Sequence, residues 1–270
     1  MASTSVASDA GAAPDGPELE RLACAAARAA AQIVAKGYGQ ARAVGRKSSP
    51  TDVVTQTDLD AEKLIRELLL DATPGAGLLG EEGGGSAPDA RLQWVVDPLD
   101  GTVNFLYGVP LFAVSIAAAL DGEVVAGAVL DVLRGELFSA HCNGGARRDG
   151  EAIAVSECDR FGDALALTGF SYQAEIRTRQ GEVVQRLLPV TRDVRCFGSA
   201  ALELCWVACA RADCYYERDT KLWDYAAGAL IAAEAGAITE LPCPENDDLV
   251  VAATPGVFAE LRAAVEIRPA

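Results

Sequence analysis

Between Trp94 and Phe105 the chain reads Trp-Val-Val-Asp-Pro-Leu-Asp-Gly-Thr-Val-Asn-Phe, and Asp97, Asp100 and Thr102 are the residues in it that can do chemistry together. Two carboxylates three positions apart at the end of an apolar strand repel one another unless a cation sits between them. A second acidic stretch, Gly80-Glu81-Glu82-Gly83-Gly84-Gly85, lies upstream, and a third, Trp223-Asp224-Tyr225-Ala226-Ala227-Gly228-Ala229, far downstream. Carboxylates with a hydroxyl and backbone carbonyls are hard oxygen ligands of the kind that hold Mg²⁺. No cluster of histidines or thiolates that would suit zinc accompanies them. Cations held by such a set can neutralise phosphoryl oxygens, activate a water in line and stabilise a leaving oxygen, which is what hydrolysis of a phosphate monoester needs. The central string also reads as a buried strand ending in an Asp-Pro turn with solvated carboxylates, and taken alone it leaves both readings open.

The strings GEE, DPLDGTVNF and WDYAAGA, in this order, resemble the inositol monophosphatase family of Mg²⁺-dependent, Li⁺-sensitive phosphatases. The resemblance runs from about Lys47 to about Leu261. It implies two or three Mg²⁺ ions per site, held by Glu81, Asp97, the carbonyl of Leu99, Asp100 and Asp224, with water and substrate phosphate in the remaining positions. One ion, with Glu81 and Thr102 around it, would hold the attacking water, and Asp58 would orient the Thr102 hydroxyl. Another, bridged by Asp97 and held by Asp100 and Asp224, would stabilise the leaving alkoxide. By the same resemblance Leu99, Asp100, Gly101 and Thr102 contact the phosphate, Gly198, Ser199 and Ala200 lie near the polyol, and Glu217 accepts substrate hydroxyls. Lys47 matches a lysine kept near the metal site, although a solvated loop lysine reads equally from the residues. Two departures are Val103, where a hydroxyl residue is usual, and the charged stretch from Arg218 to Leu222. The implied substrate is a small polyol or sugar monophosphate resembling inositol 1-phosphate. Histidinol phosphate, fructose 1,6-bisphosphate, a 3′-phosphoadenosine nucleotide and a catalytically idle metal-binding or regulatory homologue are the alternatives. The resemblance also implies a homodimer, of which the sequence itself shows no interface.

The elements that must position these residues are legible in outline. Leu19, Leu22, Ala25, Ala26, Ala29, Ala30, Ile33 and Val34 recur at helical spacing. A short strand over 53–55 leads to a second helix, for which Thr57 or Asp58 is the N-cap candidate. After Phe105 the pattern predicts strands over 112–120 and 124–132 joined by the turn Asp121-Gly122-Glu123, then a strand over 136–140. His141, the one histidine, ends that strand away from every motif and reads as an incidental surface residue. Beyond about Gly150, strands over 164–168, 194–197, 212–217 and 249–253 alternate with helices over 175–188, 202–210, 223–235 and 257–265. The turn before the helix starting near Leu202 offers backbone amides to an anion or hydroxyl, or simply packs closely. The whole predicts an α/β (α+β) fold: an antiparallel-rich half over 17–149 and an α/β half over 150–270, in the layered αβαβα sandwich that the resemblance implies.

Composition sets outer bounds. The 270 residues suffice for a sizeable core, and half are hydrophobic. A formal charge of −16 argues against nucleic acid as a partner through bulk electrostatics. Bound cations can still invert the local field for a phosphorylated substrate. No apolar run reaches the roughly 18 residues of a membrane span. Residues 1–16 lack periodicity and the features of a signal peptide, and read as a disordered tail on a cytoplasmic protein. The eight cysteines include no Cys-x-x-Cys pair and read as reduced, mostly buried thiols.

Overall fold

In the computed structural model, residues 15–40, 43–46, 53–243 and 248–266 are described. The tail expected over 1–16 therefore falls outside the described residues up to residue 14, as does Lys47. Asp15 and Gly16 belong to the first helix, α1 (Gly16–Gly37), because Asp15 Oδ1 accepts the Glu18 N–H at 3.0 Å and caps it. Its alanine stripe is buried, which lets the helix lie close against a sheet.

A small hairpin, β1 (Ala43–Arg46) with β2 (Val53–Thr55), leads into α2 (Gln56–Ala72). The strands β3 (Gly77–Gly80), β4 (Gly84–Ser86) and β5 (Leu92–Asp100) follow. A short helix α3 (Thr102–Tyr107) separates these from β6 (Ala113–Leu120), β7 (Glu123–Asp131), β8 (Leu137–His141), β9 (Ala146–Arg148) and β10 (Glu151–Ala152). Among the described residues these make an eight-stranded sheet in the order β10-β9-β8-β7-β6-β5-β3-β4, antiparallel throughout except for β3 beside β5. The second half runs β11 (Leu165–Thr168), α4 (Ala174–Leu187), β12 (Asp193–Arg195), α5 (Ala200–Ala208), β13 (Cys214–Glu217), α6 (Leu222–Glu234), β14 (Ile238–Glu240), β15 (Val250–Ala253) and α7 (Phe258–Ala264). Its strands form a mixed sheet in the order β12-β11-β13-β15-β14, with β11 parallel to both its neighbours.

Side-chain alternation turns the two sheets into five layers. Trp94 and Val96 of β5 face Leu19, Ala27, Ile65 and Leu69 of α1 and α2. Val95, between them, faces the opposite way, into the cluster of Leu204, Val207, Ala227 and Ile231 from α5 and α6. Leu167, Tyr215 and Val250 close that cluster from the second sheet. On that sheet's far face Ala166, Cys214 and Val251 meet Val183, Leu187 and Leu261 of α4 and α7. The order helix, sheet, helix, sheet, helix is the αβαβα sandwich.

The structure corrects several sequence expectations. Strand β5 does not stop at Asp97-Pro98 but continues to Asp100. Pro98 is tolerated because the β5–β6 register shifts between Asp97 and Asp100, and β3 pairs with β5 only as far as Val96. The cap of α2 is Thr55, not Thr57 or Asp58, and Asp58 is the third helical residue that closes the capping box. His141 is not incidental: Nδ1 lies 2.5 Å from Glu20 Oε2, and the Ser139 hydroxyl donates to Glu20 Oε1 at 2.7 Å, fastening α1 to β8. The cysteines are all free, but only Cys205 and Cys214 are fully buried, while Cys142, Cys196 and Cys243 are exposed. Among the described residues no helix is long and apolar enough to cross a membrane.

Candidate active site

The end of β5 carries two buried carboxylates close to other acids. Asp97 is 3% exposed, and its Oδ1 accepts the Leu99 N–H at 2.9 Å. Burial, followed by the charges of Glu81, Asp100 and Asp224, pushes its carboxyl well above the usual range. Burial also lifts Asp100, to about 6, although the Ser199 hydroxyl (2.6 Å) and the Ala201 N–H (2.8 Å) donate to its Oδ2 and pull the other way. Asp224 is raised by burial above all, then by Glu81 and Asp100, against the Lys221 N–H that donates to it at 2.6 Å. Four acids from three separate stretches thus feel one another's charge. They are coupled by charge, and Asp97 and Glu81 also by a side-chain hydrogen bond; among the described residues no group of three His, Cys, Asp or Glu side chains is drawn together tightly enough to grip an ion as it stands.

Three elements deliver the four acids, Asp97 and Asp100 both on β5. Glu81 follows β3, and its N–H donates to the Val96 carbonyl at 3.1 Å, extending the parallel pairing so that Glu81 arrives beside Asp97. Asp224 lies in the first turn of α6, and the Trp223 carbonyl is within 3.5 Å of the Ser115 hydroxyl on β6, the residue paired with Asp97. After Asp100 the backbone must reverse, and Gly101 at φ +95° makes that turn in a region L side chains rarely adopt. Thr102 then starts α3 with its hydroxyl 3.0 Å from both Asp58 Oδ1 and the Leu99 carbonyl. Its one hydrogen is committed to these acceptors, so its oxygen faces any incoming group as an acceptor. Asp58 is fully buried and does two things at once. Its Oδ2 accepts the Thr55 N–H at 3.0 Å and the Thr55 hydroxyl, closing the cap, while Oδ1 serves Thr102.

A second group of residues faces this turn from the other half. Ser199 is buried against Asp100, whereas Gly198 is exposed beside it and Ala200 half-buried. The Asn104 amide of α3 donates to the Phe197 carbonyl at 2.7 Å and to the Leu111 carbonyl at 2.9 Å, tying the two turns together. Glu217 ends β13, and its carboxyl is raised to about 7, chiefly by burial, while the Tyr215 hydroxyl donates to it at 2.7 Å. Gly169 packs so close that a Cβ there would overlap the Glu217 carboxylate. Arg218 and Lys221, the cations of the charged stretch, are already engaged. Arg218 pairs with Asp248 at 2.9 Å, and Lys221 lies 3.4 Å from Asp219.

Every site residue read from the sequence, Lys47 aside, thus lies on one of these two facing surfaces or within their electrostatic reach. Sequence reasoning missed Glu62, which accepts the Glu82 and Gly83 N–H groups, and Glu203, which accepts those of Phe197 and Gly198. The signal was present in both: an acid on the apolar inner face of a helix, between Ala61 and Ile65 in one case and Leu202 and Leu204 in the other.

A layered fold of this kind, with buried hard-oxygen donors where β5 ends, has known relatives. The sequence profile of the inositol monophosphatase family matches residues 16–266, and the chain belongs to that family. It is 48% identical over 236 residues to the inositol-1-monophosphatase SuhB of Mycobacterium tuberculosis, covering 83% of this chain and 81% of that protein. It is 38% identical to the Nus factor SuhB of Pasteurella multocida, covering 80% and 82%. The solved structure of Mycobacterium tuberculosis SuhB superposes with a TM-score of 0.81 at 41% identity, covering 94% of this chain and 97% of that one.

Proposed function

We propose that this protein is a Mg²⁺-dependent phosphatase that hydrolyses a small polyol or sugar monophosphate resembling inositol 1-phosphate. The observation that carries this reading is the mutual charge of Glu81, Asp97, Asp100 and Asp224, buried or half-buried beside a Thr102 hydroxyl whose hydrogen is held by Asp58. Buried carboxylates that raise one another's proton affinity are a donor set that a small divalent cation relieves, and their all-oxygen chemistry fits Mg²⁺. Glu81, Asp97, the Leu99 carbonyl, Asp100 and Asp224 are the residues that would hold it. Bound there, Mg²⁺ supplies charge neutralisation for the phosphoryl oxygens and acidifies water.

The chain's own groups do the rest. Thr102, its hydrogen directed to Asp58, accepts a hydrogen bond from the attacking water and fixes its direction. Glu81 takes that water's proton. The backbone turn from Leu99 to Thr102, opened by Gly101, gives the phosphate room against the chain. Gly198 and Ala200 leave space for a polyol ring, and Glu217 accepts its hydroxyls, with Tyr215 holding the carboxylate in place. Arg218 and Lys221 already have carboxylate partners, so neither is held ready for a second phosphate, which favours a monophosphate over a bisphosphate.

The test is phosphate release from inositol 1-phosphate, histidinol phosphate, fructose 1,6-bisphosphate and 3′-phosphoadenosine phosphate, with and without Mg²⁺. The polyol monophosphate should have the highest kcat/KM, the rate should vanish without Mg²⁺, and LiCl should inhibit. Histidinol phosphate as the best substrate would overturn the substrate assignment, and turnover in excess chelator would overturn the metal. The same preparation is expected to be a homodimer, with a light-scattering mass twice the 28.1 kDa of one chain. A second reading, a role in transcription complexes, is favoured only by the similarity to a Nus factor. It predicts a partner interaction that survives loss of catalysis.

A further inference from the structure

Glu62 and Glu203 have no place in the chemistry above, yet each is an acid buried to 3% exposure or less and wrapped by the backbone of a turn that carries site residues. Around Glu62, the Glu82 N–H donates to Oε2 and the Gly83 N–H to Oε1, both at 2.8 Å. Arg66 closes the arrangement: Nη2 donates to Glu62 Oε1 at 3.1 Å and to the Gly84 carbonyl at 3.3 Å, and Nη1 reaches the Ser86 hydroxyl. The wrap is close enough that a Cβ at Gly80 or Gly83 would overlap the carboxylate. Glu81, between those glycines, is thereby fixed relative to α2. Around Glu203, one oxygen does all the work: Oε1 accepts the Phe197 N–H at 2.8 Å and the Gly198 N–H at 3.0 Å. Oε2 is buried and makes no hydrogen bond. The turn so held is the one that presents Ser199 and Ala201 to Asp100 and lies beside the Asn104 amide.

Resting on the phosphatase reading, we propose that these two glutamates are positioning residues with separate charges. Glu62 sets the Glu81 turn and so governs metal binding, while Glu203 sets the 197–199 turn and so governs substrate binding. Neither touches metal or substrate. The hydrogen-bond patterns make the two respond differently to the same substitution. Glu62 uses both carboxylate oxygens as acceptors, so in Glu62→Gln one backbone N–H meets an amide NH₂ and loses its bond. Glu203 uses one oxygen, so in Glu203→Gln the amide oxygen keeps both bonds and the NH₂ replaces the unpartnered atom. Glu203→Ala loses both. A residue that merely supplied bulk negative charge would respond alike to Glu203→Gln and Glu203→Ala, and one that merely filled space would not confine faster amide exchange to the two N–H groups its carboxylate accepts.

The experiment measures Mg²⁺ affinity by calorimetry, KM for inositol 1-phosphate at saturating Mg²⁺, and amide hydrogen exchange, on the full chain. Glu62→Gln should weaken Mg²⁺ binding by about tenfold, as losing an outer support of a ligand does. It should speed exchange at residues 82–83 and leave 197–198 unchanged. Glu203→Ala should raise KM about tenfold and speed exchange at 197–198 with Mg²⁺ affinity near wild type. Glu203→Gln should behave as wild type in both. If Glu62→Gln does not fold, Arg66→Met takes its place, with a smaller shift of the same kind. If Glu203→Ala does not fold, Asn104→Ala releases the same turn from its carbonyl side. Unchanged Mg²⁺ affinity in the Glu62 variant, or equal defects in Glu203→Gln and Glu203→Ala, would overturn the proposal. Should wild type release no phosphate with any substrate, the phosphatase reading fails by itself. The exchange pattern and the Mg²⁺ titration then still decide whether each glutamate holds its turn.

Discussion

Asp97 bears three like charges from Glu81, Asp100 and Asp224 on top of nearly complete burial, and this gives one substitution two opposite effects. Asp97→Asn keeps the shape and can still accept the Leu99 N–H through its amide oxygen. It removes the carboxylate that the other acids repel and that a metal would need. Turnover should fall at least about a hundredfold, in line with loss of a metal-supporting group. In the absence of Mg²⁺ the same variant should melt at a higher temperature than wild type, because the cost of protonating or burying that carboxylate is gone. Scanning calorimetry with chelator, beside steady-state rates with Mg²⁺, reads both. A variant of near wild-type activity would sink the metal assignment, and one of lower metal-free stability would sink the electrostatic account of the cluster. Asp58 shows the other face of residue-scale reasoning. Capping and orientation of Thr102 are compatible readings of the sequence, since a carboxylate has two oxygens, and the structure uses one for each.

The turn between β5 and α3 is the element on which the site depends, and Gly101 is its least replaceable residue. Its φ of +95° strains any L side chain, and a Cβ there would approach the Leu111 and Gly198 carbonyl oxygens at 3.1 and 3.2 Å. Gly108 ends α3 at φ +70° with nothing within 4 Å of a Cβ, so it carries the strain without the crowding. Gly101→Ala should therefore cost about 2 kcal/mol, or ~4–8 °C in Tm, and most of the activity. Gly108→Ala should cost only about half of that in stability and leave turnover near wild type. Equal activities in the two variants would show that the Gly101 turn does not shape the site. Much of the surrounding architecture was legible because long apolar periodicity survives tertiary context: α1, α2, β6, β7, α5 and α6 fall within a few residues of their sequence readings. The extension of β5 through Pro98 was not, since a register shift depends on the partner strand. The short strands β1, β4, β9, β10 and β14 escaped because two to four residues carry too little pattern. Glu62 and Glu203 escaped because an acid on a helix reads as solvated until the packing of the turn around it is known.

At the scale of the whole molecule, the buried acids set the direction in which pH acts on stability. Burial and mutual repulsion raise Asp97, Asp224 and Glu203 well above their ordinary values, Asp100 to about 6 and Glu217 to about 7. Between the ordinary values, near 4, and about 7, the folded chain therefore holds protons that the unfolded chain has already released, and stability falls as pH rises through that window. A smaller group works the other way. Glu136, Asp121 and Asp193 are held low by hydrogen bonds to Arg211, Arg91 and Arg195, so their contribution is present above the ordinary value and is lost as pH falls through the lowered one. These pairs are exposed or nearly so and count for less. Without Mg²⁺ the melting temperature should thus decline from about pH 5 to about pH 7.5. Metal binding reverses the sign, because it selects the deprotonated carboxylates and stabilises the fold in proportion to occupancy. At about a hundred times its dissociation constant Mg²⁺ adds about 2.7 kcal/mol, or ~5–10 °C. That increment should be large at about pH 7.5 and small at about pH 5. Glu217→Gln should flatten the metal-free decline near pH 7 while leaving the Mg²⁺ increment in place, since Glu217 is not among the proposed metal ligands. Melting curves of wild type and Glu217→Gln at both pH values, each with Mg²⁺ or chelator, decide the matter. A metal-free melting temperature that rises from about pH 5 to 7.5, or an Mg²⁺ increment equal at both, would mean that the acids at the end of β5 do not act as one titrating, metal-relieved cluster.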